Sequence, residues 1–205
     1  MYVDRSGHFA ISALIIGIIV GASVGGAVYG GVSAGLSGGD VGDVFTGIGK
    51  GAVNGLIFGG SISLGIGGFV YGGTTVLGSM MATFGMSTAF NMIDVTVAQG
   101  KKSYRDGDGF WYAANDINNA VFKNSWKIIG GNLLSKGTVF GTALINYDIA
   151  LTLGWPATYG KAFISTLESK PHKFMLFLSY LSVAIDGISL LKTIFGNEES
   201  KWSLY

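Results

Sequence analysis

Apolar and polar positions fall into long blocks along this chain, longer than strands require. Residues 9 to 39, from Phe9 through Leu14, Ile15, Ile16 and Val20 to Gly39, contain no charged side chain. The span exceeds the roughly 20 residues that cross a hydrocarbon core, so it predicts a membrane helix running to the neighbourhood of Leu36. A cleaved signal peptide is the weaker reading. Asp4 offsets Arg5 ahead of the apolar stretch, and the small-apolar pattern runs past Gly21-Ala22-Ser23 without a cleavage boundary. After the polar break Gly38-Gly39-Asp40-Val41-Gly42-Asp43, a second uncharged region extends from Gly51 to Ile93, long enough for two crossings. A turn at Tyr71-Gly72-Gly73-Thr74 makes residues 51–71 and 75–97 the arms of a helical hairpin.

The pattern changes at residue 99. Gln99 to Gly109, with Lys101, Lys102, Arg105, Asp106 and Asp108, reads as a polar loop, and Asp108 is placed to cap the helix that follows. In that helix Phe110, Ala114, Ile117 and Val121 recur at helical spacing against Asn115, Asp116, Asn118, Asn119 and Lys123. Trp111, Tyr112 and Trp126 supply amphipathic rings of the kind enriched at membrane interfaces, so the helix is expected to lie in that zone. An amphipathic helix of a soluble bundle carries the same pattern. The last third offers apolar stretches at Gly137 to Tyr147, Ile149 to Gly160 and Phe174 to Phe195, then a polar tail from Gly196 to Trp202. Asp186 sits inside the third stretch. An ionised carboxylate near mid-bilayer costs about 2.5 to 3.5 kcal/mol on insertion scales, so Asp186 is expected to face protein or water.

The chain holds 35 glycines and 2 prolines, and the glycines follow no G-X-Y period, so neither collagen nor a disordered linker explains them. Gly47, Gly51, Gly55 and Gly59 recur every four residues, as do Gly17, Gly21 and Gly25, which places each set along one helical face. Such ladders let two backbones approach closely and gain dispersion and Cα–H···O contacts where hydrophobic burial gives no drive. In water each glycine costs roughly 1 kcal/mol of helix propensity against alanine, so the pattern favours a bilayer or a tight bundle. A loosely ordered apolar spacer is the plainer alternative.

Composition agrees with the pattern. Hydrophobic residues make up 49% and charged residues 12%, the latter about half the share usual in soluble domains, and mean hydropathy is +0.49. Thirteen basic and 12 acidic residues leave a net charge of +1, so no nucleic-acid partner is expected. The absence of cysteine excludes disulfides, thiolate metal sites and cysteine nucleophiles. His8 and His172 lie far apart, and neither has neighbours at metal-ligand spacing. Asp106-Gly107-Asp108-Gly109 would need ligands where Phe110 and Ile117 stand to serve as a calcium loop, so it reads as a turn. No nucleophile elbow frames any serine. Neither a catalytic residue nor a cofactor or metal site is expected, and the chain is read as non-enzymatic.

Tyr2-Val3-Asp4-Arg5-Ser6-Gly7-His8 resembles the D-P-x-G stretch that closes the conserved core of RHS/YD-repeat proteins, just before their variable C-terminal extension. Asp4 and Gly7 match; Arg5 stands where the family most often has proline and His8 where many members have leucine. In that family the extension is commonly a polymorphic toxin, so the resemblance implies an effector context and, for a pore-former, an immunity protein in the producer.

The sequence therefore predicts an all-α protein of glycine-rich membrane-inserting hairpins with an amphipathic interfacial helix. Four regions are expected: a boundary remnant at 1–8, the hairpin region at 9–98, the polar loop and amphipathic helix at 99–132, and a helical region at 133–205 with a membrane helix at 174–195. The expected function is that of a pore-forming or depolarising effector, located in a membrane, with the lipid bilayer and its own copies as partners. A non-lytic anchor or translocation segment is the first alternative, and a soluble helical enzyme or binding domain the second.

Overall fold

The computed structural model describes residues 8–72, 75–135, 167, 168, 170, 171, 173–196, 200 and 202. Among them the regular elements are five α-helices, with no strand: α1 His8–Leu36, α2 Val41–Gly72, α3 Val76–Asp106, α4 Phe110–Ser135 and α5 Lys173–Phe195. The protein is all-α, as the block pattern predicts. Residues 2–7, the apolar stretches at 137–147 and 149–160, and His172 lie outside the described residues.

The polar break between the first two spans is a tight turn. Gly38 adopts φ +91°, and the Gly39 N–H reaches back to the Ala34 carbonyl at 3.0 Å, so the chain reverses on a left-handed glycine. Asp40 and Asp43 then cap each other's backbone: Asp40 Oδ1 accepts from the Asp43 N–H at 2.9 Å and Asp43 Oδ2 from the Asp40 N–H at 3.1 Å. This reciprocal box starts α2 at Val41, so α1 and α2 already form a hairpin ahead of the expected one. At the start of α3, Thr75 Oγ1 accepts the Gly78 N–H at 3.1 Å.

Residues 99–109 are not a loop. α3 continues to Asp106 and stops only at Gly107, whose φ of 78° lets the Asp108 N–H bond the Ser103 carbonyl at 3.0 Å. Gln99, Lys101, Lys102 and Arg105 are good helix formers, and the basic side chains complement the negative end of the helix dipole. Polarity here marks an exposed helix end, with Ser103 turned inward and buried. Gly109, not Asp108, occupies the cap position of α4, its carbonyl accepting the Ala113 N–H at 3.0 Å. The boundaries expected at 98/99 and 132/133 accordingly fall inside α3 and α4.

α1 packs on α2, α2 on α3, and α3 on α5, while α4 touches α1, α2 and α3. Large side chains meet in a small core, where Met92, Val95, Val121 and Ile128 gather Ile57, Phe58, Ile117 and Trp202 around them, and in a smaller cluster of Val76 with Met80 and Leu167. Elsewhere most buried positions are small or polar, including Ser33, Ser61, Ser79, Thr83, Ser87 and Thr88, with Val76, Val183 and Leu190 the larger exceptions. Small residues there bring helix axes close, and each Ser or Thr can return its hydroxyl to a backbone carbonyl of its own helix, as Thr83 does to Ser79 at 2.8 Å.

Candidate functional site

The α1–α2 seam is backbone against backbone. Gly47, Gly51, Gly55 and Gly59 all face α1: an added Cβ would overlap the carbonyl oxygen of Gly30, Gly26 and Ala22 in turn, and at Gly59 would stand 2.8 Å from Ala22 Cβ. The partner ladder on α1 is Ala22, Gly26, Gly30 and Ala34, also spaced by four. Gly17, Gly21 and Gly25 are not on it; a Cβ at any of the three meets nothing within 4 Å among the described residues. Two small-residue ladders run along α1 at different angles around its axis, and the one containing alanine is the one α2 uses. A second seam, absent from the sequence reading, joins α2 to α3, where a Cβ on Gly68 would overlap Ala82 and one on Gly85 would overlap Ser61 and Gly65.

Because the seams are built from small residues, the large apolar side chains point outward. Leu14, Ile16, Val20, Val24 and Val28 on α1 are each more than half exposed, as are Phe174, Phe177, Ile185, Ile188 and Leu191 on α5. Among the described residues, four helical segments have the length and apolar composition of a membrane crossing: Ser12–Leu36, Val41–Val70, Val76–Asp106 and Leu176–Phe195. In a water-soluble bundle these faces would be turned inward.

α4 differs. Ala114, Asn118, Val121, Ile128 and Asn132 are buried, so this face belongs to the bundle and the helix is no separate surface rod, while Phe110 stands 73% exposed. Asn118, expected on the polar side, is its main fastening. The Asn54 amide donates to the Asn118 Oδ1 at 2.8 Å and carbonyl at 2.9 Å, and Asn118 Nδ2 donates to the Gly47 carbonyl at 3.3 Å. Beside it Lys50 Nζ donates to Asn119 Oδ1 at 2.7 Å, and Tyr29 donates its hydroxyl to the Ala114 carbonyl at 2.8 Å. Farther along, Asn91 Nδ2 donates to Asn132 Oδ1 at 3.2 Å and Asn132 Nδ2 to Thr88 Oγ1 at 3.1 Å. The outer side of α4 is wet in character: Asp116 and Lys123 are exposed, with Trp111, Tyr112 and Trp126 also outward.

Asp186 is 6% exposed and accepts the Ser87 hydroxyl at 2.5 Å, so the carboxylate within the last apolar span faces protein. The sequence reading missed Asp94, which is still more deeply buried on α3 and accepts from the Ser200 hydroxyl. Asn54, Asn91 and Asp94 share one signal that would have found them: a strongly polar side chain set within an apolar span long enough to cross a bilayer.

A cavity of about 650 Å³ opens between α1, α2, α3 and α4, beside Gly25, Tyr29, Asn54, Phe58 and Ile117. Its lining is nearly all apolar, and Tyr29 is the one titratable side chain in it. Among the described residues no group of three or more His, Cys, Asp or Glu side chains is arranged to hold a metal ion. Comparison with protein-family models, curated proteins and solved structures finds no match to this chain.

Proposed function

We propose that this chain is a membrane-inserting domain that permeabilises a bilayer, an effector of the pore-forming or depolarising kind. One observation carries the reading: a single bundle presents an apolar outer surface on α1 and α5 and, on α4, an outer face bearing exposed Asp116 and Lys123. The apolar side chains match lipid, whereas charges facing lipid cost several kcal/mol each on the scale cited above for Asp and Lys, roughly 2.5 to 3.5. A bundle with one lipid face and one wet face satisfies both when copies surround water, so self-association is part of the proposal. A simple anchor needs no such helix. The effector context and the immunity protein rest on the resemblance to RHS/YD-repeat extensions alone.

Leakage of dye and ions from liposomes, scored beside flotation of the same vesicles, tests this directly. Binding with leakage is expected. Binding without leakage would shift the function to a non-lytic anchor, and a monodisperse protein that ignores vesicles in detergent-free buffer would defeat the membrane reading.

A further inference from the structure

The inner face of α3 carries Ser79, Thr83, Ser87, Asn91 and Asp94, none more than 1% exposed. The hydroxyls are accounted for: Thr83 bonds back to its own helix and Ser87 donates to Asp186. Asn91 and Asp94, one helical turn apart, are not. Asn91 uses its amide N–H on Asn132, which leaves its oxygen as the free end of the group, and Asn91 Oδ1 has no donor. Asp94 Oδ2 accepts from the Ser200 hydroxyl, and Asp94 Oδ1 has no donor. That hydroxyl is the one partner of the Asp94 carboxylate among the described residues. Trp202, two residues beyond Ser200, packs against the core cluster of Met92, Val95, Val121 and Ile128.

An ionised carboxylate in such a place is costly unless a positive charge or several donors meet it, and a buried amide oxygen without a donor adds to the cost. One cation held between the two free oxygens removes both. The available ligands are all oxygen, with a single negative charge and no nitrogen or sulfur, a set that suits a hard monovalent ion; a divalent ion draws on several carboxylates, and transition metals favour imidazole or thiolate. We propose that Asn91 and Asp94 form a binding site for a monovalent inorganic cation inside the bundle. Binding needs only the folded protein. Its consequence for transport, a preference for cations over anions, rests on the permeabilising function proposed above.

Two experiments separate the site from that function. The first is thermal unfolding of the full chain in detergent at fixed pH and ionic strength, in NaCl, KCl or N-methylglucamine chloride. The small cations should raise the melting temperature saturably, by about 3–6 °C at tenfold excess over the dissociation constant. Asp94→Asn and Asn91→Leu should abolish the rise, while Asp116→Asn, on the exposed side of α4, should keep it. Equal melting in the three salts overturns the site. The wild-type comparison decides even if a variant fails to fold. The second experiment measures reversal potential across a bilayer under a KCl gradient. Cation preference in the wild type and its loss in Asp94→Asn are expected. Conductance that never discriminates ions, together with salt-independent melting, removes the site and leaves permeabilisation standing. A cation-dependent melting temperature without any conductance leaves the site and removes the permeabilising function.

Discussion

A methyl group added at Gly51 would overlap the Gly26 carbonyl, and one added at Gly55 would overlap that of Ala22. Both contacts are backbone, which cannot rotate out of the way, so Gly51→Leu and Gly55→Leu should each cost at least the roughly 1–3 kcal/mol typical of overpacking and should cut leakage activity with it. Gly21→Leu, where an added Cβ meets nothing among the described residues, should leave both nearly unchanged, and Gly109→Leu, at the cap of α4, should cost less than either seam variant. Denaturation midpoints in detergent, read beside leakage, check the contrast; equal behaviour of all four variants would remove the seam from the account. The glycine repeat itself was legible from spacing. Which of the two ladders on α1 makes contact was not, because Ala22 and Ala34 serve as well as glycine at the ends of the seam, and a face is chosen only by what packs on it.

At the scale of the helix, the side turned away from the seam decides where the element can live. Val24 is 59% exposed on α1, opposite no described residue that would shield it. Val24→Lys should leave the α1–α2 seam intact and weaken vesicle binding about 100-fold or more, given about 2.5 to 3.5 kcal/mol for a lysine at the helix centre. Flotation over a lipid titration reads this, and undiminished binding would mean that α1 does not enter the bilayer. The helices α1, α2, α3 and α5 were visible as long apolar spans. The end of α3 was misread because polarity was equated with loop: Lys101, Lys102 and Arg105 continue a helix until Gly107 supplies the left-handed residue that ends it. Asn118 was assigned to the wet side of α4 for the same reason, although its amide can meet Asn54 and the Gly47 carbonyl and is therefore affordable inside.

For the whole molecule, the two kinds of outer surface make different predictions once the protein is in a membrane. The chain has no cysteine, so single cysteines can be introduced cleanly. Lys123→Cys on α4 should react with a membrane-impermeant thiol reagent after insertion into liposomes, while Val24→Cys on α1 and Ile185→Cys on α5 should be shielded. Equal labelling of the three would contradict a bundle with one lipid face and one wet face. Sequence alone determined the all-α class, the apolar spans and the glycine ladder that α2 brings to its seam with α1, because length, hydropathy and a four-residue period are properties of consecutive residues. The seam register, the inward turn of Asn118 and the pairing of Asn91 with Asn132 were decided only by the tertiary structure. Each depends on residues from different helices coming together, and a polar side chain within an apolar helix shows that it needs a partner without showing which helix provides one.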